Sequence, residues 1–135
     1  MVPTFSPANA QIAEELSDYD MMLFNNGFGP SLMRAEIEAG FCLLVRVSGQ
    51  IAGYALTRSQ GPIVDITRLA VLERYRRKGL GRALLQAVLA HHKASQVMLH
   101  VKRDNREALE LYKSEGFQIR GAREQSWLMV RMGES

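Results

Sequence analysis

The sequence predicts one mixed α/β domain in which helices cover a mostly antiparallel sheet. Strand-like and helix-like segments follow one another in the order β-α-α-β-β-β-α-β-α-β-β. The 135 residues are 47% hydrophobic and 23% charged, which suits one compact core and argues against disorder. No repeat, low-complexity tract or linker divides the chain, so residues 1–135 read as a single domain.

Val2 to Phe5 reads as a short strand. Ser6-Pro7 then reads as a helix start, with serine at the cap and proline at the first helical position. Ile12, Leu16, Tyr19 and Leu23 recur at helical spacing and predict an amphipathic helix from Ala8 to Phe24. "NNGFGP" is a loop, and a shorter helix covers Ser31 to Ala39, ended by Gly40. Phe41 to Ser48 and Ile51 to Thr57 flank Gly49-Gln50 as a β-hairpin. After Gly61-Pro62, "IVDITRLAV" (Ile63 to Val71) makes a third long strand. The loop "LERYRRKG" leads into a helix with Leu80, Leu84, Val88 and Leu89 along one side. "VMLHV" (Val97 to Val101) is a buried strand, and "RDN" turns into a helix carrying Ala108, Leu109, Leu111 and Tyr112, with Gly116 as its C-terminal cap. Strands around Phe117 to Gly121 and Trp127 to Met132 complete the chain.

The absence of any run of 18 apolar residues and the polar, proline-containing opening predict a soluble cytoplasmic protein with no membrane association. Cys42 is the only cysteine and sits in the apolar run "FCLLVRV", which reads as packing rather than chemistry. No His/Cys/Asp/Glu cluster has metal-ligand spacing, so no metal is expected. Net charge is +3 and the pI about 9.3, too mild for a dedicated nucleic-acid binder. Much of the basic excess lies in "RYRRKGLGRALL" (Arg74 to Leu85).

Positive charge and bare backbone coincide there at the mouth of a helix. The first amides of a helix lack intrahelical partners and carry the positive end of its dipole, so they form a natural anion site. Gly79 and Gly81 permit close approach, while Arg76, Arg77, Lys78 and Arg82 add charge. The kinase-type phosphate loop is excluded because Lys78 precedes its glycine and no hydroxyl follows. The dinucleotide fingerprint fails because Leu84 stands where its third glycine belongs.

What remains, Arg76-Arg77-Lys78-Gly79-Leu80-Gly81, has the form R-x-x-G-x-G. With its flanks, "LAVLERYRRKGLGRALL" resembles the pyrophosphate-binding motif of the GNAT acetyltransferases. "LHVKRDNREALELYKSEGF" (Leu99 to Phe117) is similar to the family's later strand–helix signature, with Asn105, Ala108, Tyr112 and Gly116-Phe117 in register. The strand–helix signature looks closest to the N-terminal and ribosomal-protein alanine acetyltransferase branch. The resemblance spans Phe41 to Met132, and the first forty residues only by helix count. It implies the acyl-CoA N-acyltransferase fold, with acetyl-coenzyme A as acyl donor and a primary amine as acceptor. It also implies that backbone groups of Leu69, Ala70 and Val71 hold the pantetheine arm, that Leu80 joins the phosphate loop, and that a homodimer is an available assembly. Relatives often carry proline where Glu73 stands.

Acetyl transfer to an amine needs a base for the ammonium, whose ordinary pKa is about 10.4, and an acid for the departing thiolate. Tyr112 matches the tyrosine that the family places beside the thioester sulfur as general acid; otherwise it is a core aromatic. Asn105 either caps its helix or contacts the cofactor arm. His100 occupies the motif position where relatives acting on protein N-termini use Glu or His as base, although a lone strand histidine is more often structural. Asp65 is the second candidate, as base or as the group orienting the ammonium.

His91 and His92 read as partners of a helix C-terminal dipole. Trp127 reads as packed against a helix, with an acceptor-pocket wall as its alternative. "NNGFGPSLMR", with Phe28 and Met33, is expected to wall the acceptor pocket. The short connection in "GAREQSWLMV" counts against a peptide terminus and favours a small amine, leaving small-molecule and peptide or protein amines both open. The alternative to an enzyme is a non-catalytic acyl-CoA-binding sensor, which would keep the loop but could dispense with Tyr112 and His100.

Overall fold

The computed structural model describes residues 2–134; Met1 and Ser135, the outer limits of the expected domain, lie outside the described residues. The elements are β1 (Pro3–Pro7), α1 (Ala13–Leu23), α2 (Pro30–Ala39), β2 (Phe41–Val47), β3 (Gln50–Gln60), β4 (Ile63–Val71), α3 (Leu80–His91), β5 (Gln96–Lys102), α4 (Arg106–Ser114), β6 (Gln118–Ala122) and β7 (Ser126–Arg131). This is the expected order. The strands form one sheet, β1-β2-β3-β4-β5-β7-β6, antiparallel throughout except where β4 and β5 run parallel.

The chain's start differs from its sequence reading. Ser6 and Pro7 belong to β1, which pairs with β2 from Pro3↔Val47 to Pro7↔Leu43. β1 is an edge strand, where proline's missing N–H can face away from the ladder. The cap falls instead to Asn9, whose side chain accepts from the Gln11 amide at 2.9 Å and opens a short 3-10 turn (Ala10–Ile12) before α1. α2 begins one residue early because Pro30 takes the first helical position behind Gly29.

Strand alternation divides the core into two layers. Val64 and Ile66 of β4 and Val97, Leu99 and Val101 of β5 face α3, where Leu80, Leu84, Leu85, Val88 and Leu89 meet them. On the other face Leu16, Met33 and Ile37 from α1 and α2 pack on Leu44, Tyr54, Leu56 and Ala70. α4 lies with α3 through Ala108, Leu109, Leu111 and Tyr112. Cys42 is buried, and burial alone pushes its thiol up to about 12, as the packing reading expected.

Two irregularities of β4 shape the molecule. Arg68 opposes Leu56 while Ile66 opposes Thr57, so Thr67 is an extra residue, a β-bulge. The bulge reverses the alternation: Leu69 and Val71 turn toward the α3 layer and Ala70 toward the α1/α2 layer. β4 also pairs with β5 only over Ile63–Asp65 and Gln96–Met98. Past those rungs β4 stays bonded to β3 and β5 to β7, so the sheet opens into a wedge-shaped gap.

At the end of α3 the two histidines contact side chains of β2 and β3. His91 stacks on Phe41 with ring centroids 3.9 Å apart, and His92 Nε2 lies 3.1 Å from the Thr57 hydroxyl. Burial, with His91 adding to it, lowers the His92 pKa and favours the neutral ring.

Candidate active site

The basic loop ends at Gly79, whose φ of +78° puts it in the left-handed region that favours glycine. No side chain caps α3, and its first internal bond runs from the Ala83 amide to the Gly79 carbonyl at 3.0 Å. The amides of Leu80, Gly81 and Arg82 therefore lack intrahelical partners. A Cβ added at Gly79 would meet nothing within 4 Å, and one at Gly81 only the Val71 Cγ2 at 3.9 Å. Open space thus lies against a row of free donors, which fits an anionic group such as a diphosphate. Arg77 is also left-handed, with φ of 63°, and Arg76, Arg77 and Lys78 are exposed around the row.

The cations are not equivalent. Arg82 turns away to bond Glu115 and the Ser114 hydroxyl, tying α3 to the end of α4, so part of its charge is spent inside the protein. Arg76 Nε donates to the Val71 carbonyl at 3.0 Å. Because the Leu72 amide bonds Ala52 on β3, alternation turns the main-chain groups of Val71 and Leu69 the other way, into the gap, and those of Ala70 toward β3. Loop, helix start and strand edge meet at one end of the gap.

Tyr112 lies half-buried on α4, its ring 5.8 Å from that of Phe117. Of the four tyrosines, Tyr19, Tyr54 and Tyr75 donate their hydroxyls to Glu15, Asp20 and Gln50. The Tyr112 hydroxyl has no such protein partner among the described residues. Burial raises its pKa, so it remains a protonated donor at neutral pH. Asn105 caps α4, its side chain accepting from the Ala108 amide at 3.2 Å.

His100 and Asp65 occupy the opposite face. Val101 and Leu99 point into the α3 layer, so His100 between them points away, beside its β7 partner Leu128. Asp65 pairs across the sheet with Met98, which shares the His100 face. Burial pushes the Asp65 carboxyl up; the charges of His100 and Arg123 oppose that, and Glu36 reinforces it. Arg58, directly opposite Asp65 on β3, is held by Glu36 at 3.1 Å. Tyr112 thus lies in the α3/α4 layer, while His100 and Asp65 lie on the other face of the sheet. Among the described residues no group of three or more His, Cys, Asp or Glu gathers as for a metal ion.

The acceptor-side expectations need correction. Met33 is 0% exposed in the core beneath α2 and walls nothing. Trp127 lies in the α3/α4 layer with the Arg103 guanidinium 4.2 Å over its ring, in keeping with its packing reading rather than with the pocket-wall alternative. Phe28 sits on Arg68, whose guanidinium is 3.9 Å from its ring and 4.5 Å from that of Phe24. Sequence reasoning missed the group behind this. Asp20, 0% exposed, accepts from the Tyr54 hydroxyl at 2.6 Å, the Phe28 amide at 2.7 Å and Arg68 Nε at 3.1 Å. The available signal was Asp20 itself, four residues after Leu16 and hence on the apolar side of α1.

A sheet split between two parallel strands, with an uncapped helix start at its mouth, defines an α/β protein built to seat an extended anionic ligand. Residues 9–117 match the model of the Acetyltransferase (GNAT) family, and the chain belongs to that family. The chain is 36% identical over 122 residues to the N-alpha-acetyltransferase RimI of Mycobacterium tuberculosis, covering 86% of this chain and 77% of that protein. It is 37% identical over 98 residues to an N-alpha-acetyltransferase of Sulfurisphaera tokodaii, covering 61% of this chain but spanning only 58% of that protein's length. The ribosomal-protein-S18-alanine N-acetyltransferase of Escherichia coli superimposes with a TM-score of 0.90 at 20% identity, over 99% of this chain and 96% of that one, and shares its fold. No described helix is long and apolar enough to cross a membrane.

Proposed function

We propose that the chain transfers the acetyl group of acetyl-coenzyme A to a primary amine. The observation that carries this is the coincidence of the free α3 amides with the gap edge of β4. Leu80, Gly81 and Arg82 supply main-chain donors for the diphosphate, with Arg76, Arg77 and Lys78 supplying charge around it. The outward main-chain groups of Leu69 and the amide of Val71 offer a strand edge to the amide-containing arm.

The bound donor supplies an activated acyl carbon and a thiolate leaving group. Two protons leave the amine nitrogen in all; one ends on the sulfur and one passes to solvent. His100, aided by Asp65, takes the first from the ammonium on the α1/α2 side. Tyr112, with its free hydroxyl on the α4 side, donates to the sulfur. Asn105 contributes by fixing the start of the helix that carries Tyr112.

The relatives named for N-alpha-acetylation support an α-amino group as acceptor. The connection between β6 and β7 is only Arg123 to Gln125, closed by the Arg123 amide on the Ser126 carbonyl at 2.9 Å. That leaves the near side of the gap open, to an extended chain end as well as to a small amine. Incubation with acetyl-coenzyme A and a panel of peptides and small amines, read by thiol release, tests the reading. Steady turnover that falls in His100→Ala is expected. Tight acetyl-coenzyme A binding without turnover on any amine would instead make the chain a sensor.

A further inference from the structure

We propose that Arg68 and Asp20 form the positioning pair of the acceptor side, locking the loop of residues 24–29 to the β4 bulge and so setting the entrance through which the amine reaches the gap. The inference rests on the acyl-transfer reading above and adds to it residues that no motif marks.

One guanidinium joins α1, the loop of residues 24–29 and its own strand β4. Its Nε bonds both Asp20 carboxylate oxygens, at 3.1 and 3.2 Å. Nη2 donates to the Asn26 carbonyl in the loop at 3.0 Å, and Nη1 to the carbonyl of Thr67, the bulge residue, at 3.2 Å. Its plane lies between the rings of Phe24 and Phe28. The same carboxylate accepts the Phe28 amide, and the Ser17 hydroxyl holds the Phe28 carbonyl at 2.8 Å. Both ends of the loop residue that faces Arg68 are therefore fixed to α1.

Place makes this a device for the site. Arg68 lies on the part of β4 beyond its last β5 partner, on the side of the gap that His100 and Asp65 occupy. Thr67 determines which way Leu69, one residue past Arg68, turns its main chain. Arg68 bonds both the loop and the bulge residue, so the position of the loop, and with it the acceptor entrance, is tied to β4 beside the gap. A side chain only 16% exposed and paired with a fully buried carboxylate has one geometry, and only an arginine fork reaches Asp20, Asn26 and Thr67 together. Lysine keeps the charge beside Asp20 and loses the two carbonyl bonds.

The test is Arg68→Lys in the full chain, with Tyr54→Phe as a control that removes one bond to Asp20 but touches neither loop nor bulge. Amide exchange is followed at Phe28, acetyl-coenzyme A affinity by calorimetry, and acceptor kinetics by thiol release. In Arg68→Lys, exchange at Phe28 is expected to accelerate and the acceptor KM to rise by about tenfold or more, the scale that small misplacements produce. The acetyl-coenzyme A Kd should stay within about twofold, since the free α3 amides are untouched. Unchanged exchange would show that the pair does not hold the loop. Faster exchange with unchanged acceptor KM would remove its role in positioning, and a matching loss of acetyl-coenzyme A affinity would mean general loosening. Any of these overturns the inference. If Arg68→Lys fails to fold, Phe28→Leu carries the same readouts by removing the ring from the guanidinium. Lack of turnover in the wild-type chain on every amine is a separate failure, which removes the acyl-transfer reading and the pair's role in it together.

Discussion

Replacing Gly79 with alanine separates the cost to the fold from the cost to the ligand. Gly79 has φ of +78° with no heavy atom within 4 Å of an added Cβ, so the methyl clashes with nothing and only the backbone pays. Left-handed backbone costs an L-residue about 1–2 kcal/mol, equivalent to a fall in Tm of roughly 3–8 °C for a domain of this size. Gly61, at the opposite end of β4, supplies the matched control: its φ is +60° and it too has nothing within 4 Å. The two alanine variants should lose similar stability. Only at Gly79 does the methyl enter the space against the free α3 amides. Losing one hydrogen bond to a charged group there costs about 1.5–3 kcal/mol, or about 10–150-fold in Kd. Thermal melts paired with calorimetric titration of acetyl-coenzyme A read both numbers. Equal stability losses with wild-type affinity retained by Gly79→Ala would refute the assignment of the diphosphate to this loop, as would an equal loss of affinity in Gly61→Ala.

Two further outcomes follow from individual side chains. Tyr112→Phe should lower kcat by about 100-fold, the usual reach of a general acid, while Tm stays near wild type because the hydroxyl has no protein partner; a large fall in Tm with kcat intact would make Tyr112 a structural residue. Burial lowers the His92 pKa, so the unfolded chain binds that proton more tightly, and folding stability should be full above about pH 6.5 and decline as pH falls through the ordinary histidine value toward the lowered one. Melts from about pH 8 to about pH 5 should show this decline reduced in His92→Gln, and identical slopes in the two proteins would exclude His92 as its source.

The proposed phosphate loop has a signature in the sequence because its chemistry is local. Free amides at a helix start need only glycines and neighbouring cations in a contiguous run, and Arg76 to Gly81 is such a run. The gap that gives the loop its purpose could not be read in the same way. "IVDITRLAV" is an unbroken β pattern, and no residue in it announces that Thr67 is extra or that pairing to β5 stops after Asp65. Both depend on where β3 and β5 lie. Ser6-Pro7 failed for a related reason: its cap chemistry is sound, but pairing with β2 outweighed it. His92 sits where a dipole would favour a cation, yet burial against β3, where Thr57 lies thirty-five residues away in sequence, favours its neutral ring.

The same contrast separates the two halves of the site. The acyl-donor half relies on main-chain donors and exposed cations, which any chain with the right glycines can present, and this is why a family motif survives there. The acceptor half is held by a carboxylate on α1, a hydroxyl on β3 and a guanidinium on β4, the last two 34 and 48 residues from the first. Such a group leaves no short pattern, only a charge out of place in an apolar stripe. Placing the two halves on opposite faces also serves the proton traffic. Were Tyr112 beside His100, the acid could protonate the amine that the base must leave neutral. With His100 and Tyr112 on opposite faces of the sheet, the proposed deprotonation of the nucleophile and protonation of the sulfur would occur at different mouths. On the proposed reading, substitutions in the nonlocal half should change which amine is used while leaving the coenzyme's seat as it is.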